Sequence, residues 1–91
     1  MQTLEIKSNS NFSVENGGEV TIPFCKQITV EKSKFVGVTI VQLGTEHGIY
    51  LLMTNYAISF QRESYDNAER KKARVLEAFN DDDIEVLNLN Y

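Results

Sequence analysis

Apolar and polar residues alternate along the first part of the chain and change period near its end. In "FSVENGGEVTI", Phe12 and Val14 stand on one side of a reversal and Val20 and Ile22 on the other, each pair spaced as in a half-buried hairpin. Asn16, Gly17 and Gly18 between them readily take the positive φ that a tight turn requires. Pro23 has no amide proton to give to a ladder, so it marks a strand end, a bulge or a sheet edge before "FCKQITV". The apolar run Phe35 to Leu43 and the one that begins at Ile49 predict a second hairpin, closed by a loop between Gly44 and Gly48. As one straight strand, Ile49 to Phe60 would be about 40 Å long, at about 3.3 Å per residue. A domain of this size is only about 25 Å across. The run must therefore bend or break, and its apolar character lapses at Thr54 and Asn55.

After residue 65 the period becomes helical. Ala68, Val75, Leu76 and Phe79 share one face, interrupted by Lys72, and Asp66 with Glu69 three residues on has the spacing of a capping box. "IEVLNLNY" returns to strand-like alternation. These elements predict an α+β fold: a curved antiparallel sheet of about four to six strands (two β-hairpins or a meander), one C-terminal helix and a closing strand. The 91 residues suffice for a single domain over positions 1–91, with one modest core.

The two faces of these strands are both apolar. Phe35, Thr39, Val41 and Leu43 alternate with Val36, Val38 and Ile40, and Tyr50, Leu52, Tyr56, Ile58 and Phe60 alternate with Ile49, Leu51 and Met53. A helix of about 14 residues is about 21 Å long and about 10 Å wide, so it covers one face of the sheet and not both. The other face is expected to be covered by the sheet curling on itself, by a second copy of the chain in a homodimer, or by a partner protein.

Composition removes several classes of function. Hydrophobic residues make up 42% and charged residues 24%, ordinary globular usage that needs no cofactor to fold. The N-terminal "MQTLEIKSNS" lacks the apolar core of a signal peptide, and no run approaches the length of a membrane span, so a cytoplasmic protein without membrane contact is expected. Cys25 is the single cysteine, which excludes an internal disulfide and a multi-thiolate zinc site. A catalytic dyad would have to pair Cys25, in an apolar strand, with His47, placed in a solvent-exposed loop, and nothing orients the imidazole. "GTEHG" lacks the lysine and the context of a phosphate loop, and the acidic residues lack the alternate spacing of a calcium loop. The expectation is a protein that is not an enzyme and that has no metal site.

Charge is segregated along the chain. From Arg62 to Arg74 five basic residues stand against three acidic ones, a formal +2, whereas Glu77 to Glu85 carries −5. Arg70, Lys71 and Arg74 are candidate nucleic-acid contacts, but the formal charge of −4 for the whole chain opposes binding that depends on neutralising phosphates. Asp81, Asp82, Asp83 and Glu85 agree with the overall sign. They follow the helix C-terminus, where carbonyl dipoles disfavour negative charge by about 0.3–1 kcal/mol each, with Asn80 a candidate left-handed cap. Such a cluster suits docking on a basic surface of a larger protein, because it competes with phosphate for Arg and Lys and speeds association.

In size, acidity and lack of catalytic motifs the chain resembles phage-encoded anti-defence proteins, such as anti-CRISPR and anti-restriction inhibitors, a resemblance of type rather than of motif. It implies an inhibitor or adaptor whose partner is a larger, nucleic-acid-handling protein. The alternatives from other classes are a self-associating assembly protein that uses an apolar sheet face, and a nucleic-acid binder that uses the basic helix.

Overall fold

The computed structural model describes residues 2–17 and 19–89. Its elements are β1 (Thr3–Asn16), β2 (Glu19–Glu31), a 3-10 turn (Lys32–Lys34), β3 (Phe35–Leu43), β4 (Glu46–Met53), β5 (Ala57–Ser59), α1 (Tyr65–Asn80) and β6 (Val86–Asn88). The strands join in one sheet in the order β2-β1-β5-β4-β3, and β6 adds alongside the first half of β1 as its parallel neighbour. The α+β architecture expected from the pattern is the one observed.

The first hairpin turns at Gly17, whose φ is +62°, with Asn16 paired to Glu19; Gly18, the third predicted turn residue, lies outside the described residues. β2 runs unbroken through Pro23 and forms one edge of the sheet, which is where a strand tolerates a missing amide proton. β1 has 14 residues and would be about 46 Å long if straight. The whole molecule extends 39 × 27 × 22 Å, so β1 bends. The bend sits at "SNSN": between the pairs Lys7–Gln27 and Phe12–Cys25, β1 spends residues 8–11 where β2 spends Lys26 alone. This polar stretch has no apolar residue to hold a register, and the Ser10 amide bonds the Ser8 hydroxyl at 3.1 Å. The bend lets the first half of β1 reach β6 and the second half reach β5.

The second hairpin is tighter than its sequence suggested, with Leu43 paired to Glu46 around Gly44 (φ +70°) and Thr45. The long third run breaks as anticipated: β4 ends at Met53, and β5 returns antiparallel after a turn closed by Met53 N–H donating to the Tyr56 carbonyl at 2.9 Å.

The helix starts earlier than predicted. Its N-cap is Ser64, whose hydroxyl accepts the Asn67 amide at 3.3 Å. Asp66 instead occupies the first turn, where its charge favours the dipole, and Glu69 accepts the Tyr65 hydroxyl rather than closing a capping box. The helix buries Ala68, Val75, Ala78 and Phe79 against the inner face of the sheet, and Phe79 stacks on Phe35 with ring centroids 4.3 Å apart. Leu4, Ile6, Phe12, Ile49, Leu51 and Ile58 line the same core.

Among the described residues, no second layer covers the outer face of β3, β4 and β5. Val41 is 38% exposed, and Leu43, Tyr50 and Leu52 are half-buried. Leu43 and Tyr50 fold over Gly48, where an added Cβ would stand 3.0 Å from Leu43 Cδ1 and 3.6 Å from Tyr50 Cε1.

Candidate protein-binding surface

The four predicted acidic residues lie in the connection between α1 and β6, and all four are exposed. The helix ends because Asp81 is extended (φ −105°, ψ 113°) while its amide still donates to the Glu77 carbonyl. The expected left-handed cap at Asn80 does not occur; Asn80 is the last helical residue. Asp81 then organises the turn: its Oδ1 accepts the Asp83 amide at 2.9 Å and its carbonyl accepts the Ile84 amide at 3.2 Å.

No basic residue occupies the last turn of the helix. The compensating cation comes from the far end of the first hairpin. Lys32 Nζ donates to the Asp81 carbonyl at 2.8 Å and to the Ile84 carbonyl at 2.6 Å. An ammonium thus sits at the carbonyls of the C-cap residue and of the connection that follows the helix, where three aspartates add negative charge, and it offsets part of that charge.

A cleft of about 510 Å³ opens beside this clamp, lined by Glu5, Thr29, Lys32, Asp82, Ile84 and Glu85 among others. The structure therefore divides the acidic cluster: Asp82 and Glu85 line the cleft, whereas the Asp81 carboxylate is engaged in the turn and Asp83 lies outside the lining. Glu5 joins them from β1. Its Oε1 accepts Gln27 Nε2 at 2.6 Å and lies 3.4 Å from Lys7 Nζ. Three carboxylates thus share the cleft with one ammonium, and that ammonium is already committed to carbonyls.

Neither Glu5 nor Lys32 carries a sequence signal of its own. Continuing the register of the first hairpin outward from Asn16 and Glu19 would have brought both to one end of the β1–β2 ribbon, since Glu5 pairs with Thr29 and Thr3 with Glu31. No local signal places the α1–β6 connection beside them.

The basic residues of the helix differ in exposure. Arg70 is exposed, but the Lys71 side chain is only 11% exposed and its Nζ lies 2.8 Å from Glu63 Oε2. That contact is ionic and falls off the line of a directed hydrogen bond. Arg74 is half-buried. His47 differs from expectation as well: it belongs to β4, is half-buried, exchanges backbone hydrogen bonds with Glu63 at 2.8 and 2.9 Å, and meets the Tyr65 ring edge-on at 5.2 Å. Its Nδ1 is buried without a hydrogen-bond partner. Cys25 packs against the core in β2, with β1 and β5 between it and His47, and its thiol donates to the Gln27 carbonyl at 2.9 Å. Among the described residues, no three His, Cys, Asp or Glu side chains converge as metal ligands. No helix among them is long and apolar enough to cross a membrane.

Comparison with protein-family models, with curated proteins and with solved structures finds no match.

Proposed function

We propose that the chain is a non-catalytic binding protein, an inhibitor or adaptor that docks through its acidic cleft on a basic surface of a larger protein. The observation that carries this reading is the union of Glu5, Asp82 and Glu85 around a cleft whose one lysine is held by the Asp81 and Ile84 carbonyls. An arginine or lysine of a partner entering the cleft would meet three carboxylates, of which that of Glu5 is already held by Gln27 and Lys7. The surrounding charge, with −4 on the whole chain, would steer the encounter. The type resemblance noted above makes nucleic-acid-handling defence enzymes the first partners to test, because they expose Arg- and Lys-rich grooves.

The experiment compares the wild type with a Glu5→Gln, Asp82→Asn, Glu85→Gln variant in binding assays against such enzymes at low and high salt. Binding by the wild type that weakens with salt and is lost in the variant supports the reading. Equal binding by the two proteins, or loss in an Asp81→Asn, Asp83→Asn variant alone, refutes it.

A further inference from the structure

The two ends of the strand order β2-β1-β5-β4-β3 are built differently. β2 carries Glu19, Pro23, Lys26 and Glu31, the charges and proline that discourage a second strand from pairing there. β3, the opposite edge, is "FVGVTIVQL": nine residues with neither charge nor proline. The direction of its backbone groups follows from β4. His47 exchanges hydrogen bonds with Glu63, and the Ile49 carbonyl accepts the Phe60 amide, so residues 47 and 49 turn away from β3. Glu46, Gly48, Tyr50 and Leu52 turn toward it, and their partners are Leu43, Val41, Thr39 and Gly37. Val38, Ile40 and Gln42 therefore direct their amide and carbonyl groups outward from the edge.

We propose that β3 pairs antiparallel with β3 of a second copy of this chain, about a two-fold axis at Ile40, joining the two sheets into one. The register shift of β3 lies between Phe35 and Gly37, so Gly37 to Leu43 is a regular stretch centred on Ile40. In this register Ile40 faces Ile40, and Val38 faces Gln42 twice, each pair exchanging two N–H···O bonds. On the outer surface Gly37 falls opposite Leu43, small against large, and Thr39 opposite Val41, both β-branched.

The strand itself suits a second copy as the occupant. Two molecules at −4 each repel, but β3 is neutral along its whole length, so pairing it with itself about Ile40 sets no like charges against each other. Antiparallel pairing also brings Lys34, just before β3 and with its side chain 47% exposed, toward the end of the second copy that bears Glu46. The contact is isologous and consumes both β3 edges, so assembly stops at a dimer whose remaining edges are the guarded β2 strands and the three-residue β6 strands. This surface lies apart from the acidic cleft, so the two proposals stand or fall separately.

Sedimentation velocity from low micromolar to sub-millimolar concentration should show a monomer–dimer equilibrium. Gln42→Pro leaves the internal ladder intact, because the Gln42 amide points outward, and removes one interface hydrogen bond per copy. It should weaken the dimer about 30-fold with an unchanged far-UV spectrum. Val41→Lys, which sets two lysines in the interface, should weaken it as well. For the register, Thr39→Cys and Val41→Cys proteins in a Cys25→Ser background are mixed and oxidised. The mixture should give a disulfide-linked dimer in far higher yield than either protein alone, and this readout is independent of how well Gln42→Pro folds. A monomer at every concentration overturns the proposal, as does a dimer indifferent to both Gln42→Pro and Val41→Lys, or crosslinking without preference for the mixed pair.

Discussion

Replacing Lys32 with Met tests whether one side chain holds the acidic connection in place. Methionine keeps much of the apolar stem and removes the ammonium. The wild-type ammonium makes hydrogen bonds of 2.8 and 2.6 Å to the Asp81 and Ile84 carbonyls. A hydrogen bond to a charged group contributes about 1.5–3 kcal/mol net where both groups are covered. Asp81 is exposed, so water replaces the ammonium at its carbonyl and little is lost there. Ile84 is half-buried and contributes most of the effect. Loss of a cation facing the helix C-terminus adds about 0.3–1 kcal/mol. The total is about 2 kcal/mol, which for a chain of this length lowers Tm by about 8–16 °C. Urea unfolding should show a lower midpoint with an unchanged slope. Lys34→Met is the control, since Lys34 forms only an exposed 3.8 Å contact with Glu31 and should cost under about 0.5 kcal/mol. A loss below about 0.5 kcal/mol for Lys32→Met, or equal losses for the two variants, would refute the clamp.

Three further outcomes follow from the same structure. Lys71→Met alone leaves Glu63, whose side chain is 12% exposed, without its counter-ion and should destabilise by about 2 kcal/mol. The Glu63→Leu, Lys71→Met double variant should recover at least half of this in a denaturant-unfolding cycle. Ser64→Ala removes the acceptor of the Asn67 amide and should cost about 1 kcal/mol, whereas Asp66→Ala, in the first turn and not at the cap, should cost less than half as much by the same measurement. Burial, and after it the nearby Glu31 carboxylate, raise the Tyr56 phenol above its ordinary value. A raised value means that the fold favours the neutral phenol, so this contribution is whole below about pH 10 and is lost as pH rises through the folded value. Stability measured across that alkaline range should fall more steeply for the wild type than for Tyr56→Phe.

The elements that were legible in the chain are those fixed by local chemistry. The Asn16–Gly17 reversal, the break at Thr54 and Asn55, the helical period ending at Phe79 and the return to a strand all depend on side-chain spacing and on backbone freedom at a few positions. The helix start was misplaced because Ser64 and Asp66 can both accept a first-turn amide, and only the path of the preceding backbone, tied to β4 through Glu63 and His47, chooses between them. His47 was misplaced for a related reason: the predicted loop shrank to Gly44 and Thr45 and the histidine joined the strand.

The candidate site was half legible. The sequence alone determines that Asp81, Asp82, Asp83 and Glu85 form a negative segment after a helix, and that this sign matches the whole chain. Tertiary structure decides which of them face a common cleft, because parallel pairing of β6 with β1 carries Glu85 and Asp82 to Glu5. It also decides why the cluster is tolerated, since the cation that offsets it, Lys32, lies about fifty residues away along the chain. Charge on a segment is a property of composition, whereas the partner that neutralises it is a property of distance, and in this chain distance is set by the bend in β1 and by the strand that pairs beside it.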